Sequence, residues 1–239
     1  MMSFMYRLIV TSNARLHSKF KTQRVDVSGD VVQIRGIIFD MDGTLTEPVL
    51  DFKEIRRQLQ IPQGADILHY IDSLTCQSER NELHSKLEEF EARAAGQLTL
   101  QQGLRELLLF SSEKGVKRAL VTRNSQDGIA AFLKKLGSLT SCNEIFTHML
   151  GREFIPPKPD PAPILHICTE WGFDPAQVVT VGDSIDDMLA GKRAGTVTVL
   201  VENGKHNESA RQWSDVHLQS LKDVSILFQS VFDITRQSD

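Results

Sequence analysis

Cysteine is scarce: three residues, Cys76, Cys142 and Cys168, among 239. They lie far apart and no CxxC pair occurs. That argues against a zinc site and a disulfide framework, and it favours a reducing compartment with buried free thiols. No apolar run reaches the ~20 residues that a membrane-spanning helix requires. A dominant charge is missing as well. Twenty-seven basic residues stand against 31 acidic ones, a net charge of -4, so no basic field exists to gather nucleic acid. The seven histidines are scattered and none reads as a ligand. Internal repeats and low-complexity tracts are absent.

One local absence is informative. Residues 1–25 contain no acid, yet they hold Arg7, Arg15, Lys19, Lys21 and Arg24 with Ser3, Thr11, Ser12, Ser18 and Thr22. A basic, hydroxyl-rich, acid-poor start has the composition of an organelle transit peptide. Residues 1–33 are accordingly expected to be an extension that directs the protein to a mitochondrion or plastid. A disordered extension on a cytoplasmic protein is the alternative. The remainder has ordinary composition, 41% hydrophobic and 24% charged for the chain as a whole. Its length suffices for one large domain, or for one domain with a small insertion.

Four apolar, largely β-branched runs read as buried parallel strands: 34–39, 117–121, 178–181 and 197–201. Helical patterns separate them. One carries Leu104, Leu107, Leu108 and Ser111 and stops near Gly115. A second spans 126–136 before Gly137. A third spans 160–171, with Asp160 as expected N-cap and Gly172 as stop, and a fourth spans 185–194 before Gly195. Alternating strands and helices imply a Rossmann-like, doubly wound α/β fold. Between Leu50 and Leu98 the alternation breaks, and helices are expected at 51–59, 65–74 and 79–95. The last has Leu83, Leu87, Phe90 and Ala94 on one side. The expected organisation is an α/β core of residues 34–48 and 99–239, with a small helical cap of residues 49–98 inserted after the first strand. Trp171 and Trp213 are expected in the packing.

In an open α/β sheet, ligands bind beyond the carboxyl ends of the strands. Those ends carry Asp40-Met41-Asp42-Gly43-Thr44, Thr122-Arg123-Asn124 and Gly182-Asp183-Ser184-Ile185-Asp186-Asp187. Lys158 lies in a loop, 155–163, that holds five of the eight prolines. Two carboxylates about 4 Å apart repel by about 4 kcal/mol at an effective dielectric near 20. Four aspartates on one edge therefore call for a cation. With oxygen donors only, and neither sulfur nor imidazole nearby, magnesium suits better than zinc. A carboxylate, a cation, a hydroxyl and a lysine suit phosphoryl transfer. Asp42, two residues after Asp40 on an extended segment, lies on the same side and can serve as acid and base. Gly43 permits the tight turn that follows.

The segment Asp-Met-Asp-Gly-Thr-Leu-Thr at 40–46 resembles the first signature of the haloacid dehalogenase-like superfamily. Thr122, Lys158 and the 182–187 segment resemble its second, third and fourth, in the same order. The resemblance implies roles: Asp40 as nucleophile, Asp42 as general acid and base with its backbone carbonyl on the metal, and Asp183 as a further metal ligand. Asp187 would orient the metal site and Lys158, while Thr122, Asn124 and Lys158 would hold the phosphoryl group. Asn124 reads equally well as a helix N-cap, Asp186 is ambiguous, and Arg123 reads as a surface charge. Thr44, Thr46 and Glu47 read either as a flap over the site or as a solvated loop. True dehalogenases lack the second acid, so Asp42 speaks for phosphoryl chemistry. The insertion resembles the cap of the phosphoglycolate phosphatase and phosphoglucomutase-like branch.

The leading expectation is a magnesium-dependent phosphatase acting on a small-molecule phosphate ester. A sugar phosphomutase using the same aspartyl phosphate is the nearest rival, although a short cap excludes water poorly. A phosphoacceptor switch similar to a response-regulator receiver, or an inactive binding module, is the rival from another class. The second acid and the helical insertion both weigh against it.

Overall fold

A computed structural model describes residues 34–137, 145–203, 207–224 and 226–228. The expected extension 1–33 and Cys142 lie outside the described residues. Six parallel strands form one sheet: β1 (Gly36–Phe39), β2 (Lys117–Val121), β3 (His148–Leu150), β4 (Val178–Gly182), β5 (Val197–Val201) and β6 (Val216–Leu218). Their spatial order is β3-β2-β1-β4-β5-β6. The order reverses at β1, so the ends of β1, β2 and β4 border one crevice, as expected at the switch point of a doubly wound sheet.

Side-chain alternation along each strand feeds two apolar layers. On one face Ile37 and Phe39 of β1 pack with Val179, Val181 and Val199. They meet Leu104, Leu107 and Leu108 of helix α4 (Leu104–Glu113) and Ile129, Phe132 and Leu136 of helix α5 (Gln126–Gly137). On the other face Ile38, Ala119 and Val121 meet Ile164, Ile167 and Trp171 of α6 (Ala162–Trp171), and Ala190 and Ala194 of α7 (Ile185–Ala194). Gly36 is fixed by this second layer, because a Cβ there would stand 2.4 Å from the Trp171 ring. Cys168 is buried in the same layer, whereas Cys76 is exposed, contrary to the expected burial of the thiols. Trp213 departs from expectation too. It is 41% exposed, because it follows the four-residue helix α8 (Glu208–Arg211) at the margin of the sheet. Asp160 acts one position earlier than expected. Its Oδ1 accepts from Ala162 N at 2.9 Å, and Pro161 occupies the cap position of α6.

Between β1 and β2 lie three further helices: α1 (Phe52–Gln58), α2 (Ile67–Ser73) and α3 (Gln77–Gly96). Asp51 caps α1 by accepting from Lys53 N and Glu54 N, and Asp66 caps α2 through His69 N. Their apolar faces close on a core of their own: Ile55, Leu59, Ile61, Ile67, Ile71 and Leu87, flanked by Leu83 and Phe90. The two connections to the sheet run side by side. Thr46 and Leu100 form an antiparallel bridge, Glu47 N donates to Thr99 O at 2.8 Å, and Gln101 N donates to Leu45 O at 2.9 Å. Among the described residues no helix is long and apolar enough to cross a membrane.

Candidate active site

The parallel ladder continues one residue past the strands and positions the site. Asp40 N donates to Val181 O at 2.9 Å, and Thr122 N donates to Leu150 O at 2.9 Å. Beyond Asp40 the chain turns back on itself. Leu45 N and Thr46 N both donate to Met41 O, and Gly43 N donates to Thr46 O. Gly43 has φ +87, and a Cβ on it would lie 2.2 Å from Asp183 Oδ2. Both the backbone conformation and the close approach therefore exclude a side chain. The Gly43→Ala variant should displace Asp183 and lower turnover by about tenfold or more, with a stability cost of roughly 1–3 kcal/mol from backbone strain. Activity and thermal midpoint measured together would test this, and a variant with unchanged turnover would refute it.

Lys158 joins three of the expected site segments. Its Nζ donates to Asp40 Oδ1 at 2.7 Å, Asp187 Oδ1 at 2.5 Å and Val121 O at 2.8 Å, which uses all three of its protons. The ammonium is 5% exposed. Burial alone would lower its pKa, but the Asp187 and Asp40 carboxylates outweigh that and hold it above the usual lysine value. Asp187 is locked from the other side. Its Oδ2 accepts from Ser184 N and from Ser184 Oγ at 2.6 Å, and Ser184 Oγ accepts from Asp187 N, a capping box that opens α7.

Asp40 is different. Its Oδ2 is buried and has no hydrogen-bond partner. Burial pushes this carboxyl well above the usual range. Lys158 opposes the shift, while Asp187, Asp183 and Asp42 add to it. Carboxylate oxygens of Asp40, Asp183 and Asp187 lie within 4.8 Å of one another. This set fits a hard divalent cation: oxygen donors only, and mutual repulsion to relieve. Both Asp187 oxygens already accept from the protein, Oδ1 from Lys158 and Oδ2 from Ser184. Asp40 and Asp183, the two of these expected as metal ligands, could hold such an ion, and the Asp42 carboxylate lies outside the cluster.

Asp42 Oδ2 instead accepts from Asn124 Nδ2 at 2.8 Å, and the other end of that amide accepts from Ser125 N at 2.8 Å. Of the two readings open for Asn124, a helix cap or a phosphate ligand, the structure supports neither directly. Ser125 sits before α5 and its Oγ accepts from Gly128 N, while Asn124 orients Asp42. Burial raises the Asp42 carboxyl above its ordinary value, against the opposing effects of Asn124 and Lys158. Thr122 Oγ1 accepts from Asn124 N at 3.1 Å, which leaves its own proton free to donate elsewhere.

Several participants were not legible in the sequence. Asn203 donates to Gly43 O, and Asn207 donates to Asp183 O at 3.2 Å, so the segment after β5 braces two site loops. Arg123 is partly exposed, but it is not an isolated charge. It bridges Asp66 of the helical insertion at 2.5 Å and Asp186 of α7 at 3.4 Å. Thr44 and Thr46 are buried rather than solvated. Only Ser184 had a sequence signal, the Ser-x-x-Asp spacing of a capping box. The whole arrangement faces a cavity of about 650 Å³ lined by Asp40, Asp42, Thr122, Lys158 and Asp183 on one side. Leu50, Phe52, Arg56 and Asp66 line the other.

Comparison with known proteins places the chain in a family. Residues 34–195 match the family model of the haloacid dehalogenase-like hydrolases. A haloacid dehalogenase-like hydrolase domain-containing protein of Arabidopsis thaliana is 36% identical over 219 residues, covering 84% of this chain and 86% of the plant protein. A phosphoglycolate phosphatase of Psychrobacter arcticus is 39% identical over 100 residues, 41% of this chain and 42% of that protein. Among solved structures, a hydrolase from Pseudomonas syringae superposes with a TM-score of 0.66 at 22% identity, covering 80% of this chain and 95% of that one, a likeness of fold. With the family model spanning residues 34–195, more than half of the chain, the chain belongs to the haloacid dehalogenase-like hydrolases.

Proposed function

We propose that the protein is a magnesium-dependent phosphatase that hydrolyses a small phosphorylated metabolite through an aspartyl phosphate on Asp40. The observation that carries this reading is the asymmetry of Asp40. Lys158 holds Oδ1 at 2.7 Å, while Oδ2 is buried, has no donor and belongs to a residue that lines the cavity. An oriented carboxylate with one uncommitted oxygen is suited to in-line attack. The phosphatase name of the Psychrobacter relative supports a phosphate ester as substrate class.

In the first step Asp40 Oδ2 bonds to phosphorus as the ester oxygen leaves with a proton from Asp42. In the second, water attacks the acyl phosphate, Asp42 takes its proton, and inorganic phosphate departs from a restored Asp40. Asn124 holds Asp42 in position for both transfers. The raised pKa of Asp42 keeps its proton available closer to neutrality than an exposed aspartate would. Thr122 Oγ1, whose proton is free, donates to a phosphoryl oxygen, and the Lys158 ammonium, its three protons already committed, contributes positive charge close to Asp40. Magnesium, held by Asp40, Asp183 and the Asp42 backbone carbonyl, would supply the positive charge that offsets the developing negative charge.

Phosphate release over a panel of phosphorylated metabolites tests the activity. Chelation tests the cation. Excess EDTA should abolish turnover, and added magnesium should restore it and raise the thermal midpoint, because an ion bound only by the folded state stabilises it. Full turnover in chelator, with no magnesium-dependent shift in melting, would remove the metal from the reading.

A further inference from the structure

The following inference rests on the phosphatase reading and adds a second recognition group to the substrate. Four cations line the cavity: Arg56, Arg123, Arg152 and Lys158. Three have carboxylate partners. Lys158 is held by Asp40 and Asp187, Arg123 by Asp66 and Asp186, and Arg152 by Glu91. Arg56 of α1 has none among the described residues. Its Nε donates to Ala65 O at 2.8 Å and its Nη1 to Phe52 O at 3.1 Å. Two carbonyls fix the plane of the guanidinium and leave its full charge without a counter-ion, on a half-buried side chain. A pre-oriented, uncompensated guanidinium is suited to a carboxylate or a phosphate, since little ordering remains to be done on binding. A cavity of about 650 Å³ is far larger than a phosphoryl group needs, and it lies in the range that encloses a whole small metabolite.

We infer that Arg56 is the specificity-determining residue that receives a second anionic group, a carboxylate or a further phosphate, on the leaving-group side of the substrate. Arg123 and Arg152 are neutralised by their acids, so selection for an anion falls on Arg56.

Three esters with one two-carbon skeleton test this in the full-length, magnesium-loaded protein: phosphoglycolate, ethane-1,2-diol bisphosphate and 2-hydroxyethyl phosphate. Arg56→Gln should lower kcat/KM for one or both anionic-ended esters by roughly 10- to 100-fold, the range of a charge-assisted hydrogen bond, and change the hydroxyl-ended ester by less than about threefold. Arg56→Lys should recover part of the loss. Which of the two anionic esters responds identifies carboxylate or phosphate as the group recognised. An equal loss for all three esters would show that Arg56 only ties α1 to Ala65, and no loss for any would show a solvated cation; either overturns the inference. Calorimetric binding of the same three compounds to Asp40→Asn, with and without Arg56→Gln, reads the selectivity without turnover. If the wild type releases phosphate from none of these esters nor from p-nitrophenyl phosphate, the phosphatase reading fails, and the binding order still decides the role of Arg56.

Discussion

Asp40→Asn should abolish the proposed phosphate release, by roughly 10⁴-fold or more, and leave the fold intact. Asparagine has the shape of aspartate but cannot form the acyl phosphate. Lys158 keeps Asp187 and Val121 O as partners, so its ammonium is not stranded. Burial already disfavours the charge on Asp40, and the neutral isostere removes that cost. The sign of the pH effect follows. A carboxyl whose folded pKa lies above its unfolded value carries no penalty at low pH. It destabilises progressively as pH rises from the unfolded value toward the folded one. In the metal-free protein, stability should therefore fall less steeply above the ordinary carboxylate range in Asp40→Asn than in the wild type. Phosphate-release assays and melting curves in chelator measure both effects. Turnover near the wild-type rate would eliminate Asp40 as nucleophile.

The second large effect is on stability as well as rate. Lys158→Met leaves the Asp40 and Asp187 carboxylates buried without their shared cation. Breaking a buried ion pair from one side costs about 3–5 kcal/mol. At roughly 2–4 °C per kcal/mol for a protein of this size, the thermal midpoint should fall by about 10 °C in the absence of metal. Activity should fall with it, since Lys158 orients Asp40 and, in the proposed mechanism, offsets the charge on the phosphoryl group. Adding Asp187→Asn to the lysine variant should restore part of the midpoint, because one of the two stranded charges is gone, and none of the turnover. A single variant melting within about 2 °C of the wild type would mean that the two carboxylates are not ionised together in the folded state.

Four of the six strands were legible because they carry short, mostly apolar and β-branched runs, buried throughout in β1, β4 and β5 and over the last three residues of β2. The other two, His148–Leu150 and Val216–Leu218, are three-residue edge strands, too short to leave a periodic signal, and β3 is only partly buried. The site followed the same rule. Asp40, Thr122 and Asp183 announce themselves as abrupt polar residues after apolar strands, and the proline-rich loop marks Lys158. What could not be read was every contact between the helical insertion and the sheet. Arg152 meets Glu91 across 61 residues, and the path depends on how three helices pack on their own core. Likewise Asn124 next to Thr122 looked like a cap or a phosphate ligand. Its 82-residue reach to Asp42 had no signal in the sequence.

The bridge between Thr46 and Leu100 has a consequence for how such a protein changes over time. Because the chain leaves the sheet region and returns to it at paired residues, everything between them is attached like a flag to one staff. Whole insertions of other lengths can be exchanged there without altering the β1–β2 register. The groups proposed to break the ester and the groups proposed to choose it thus lie on opposite sides of that bridge, so a change in the insertion can leave Asp40 and Lys158 where they are.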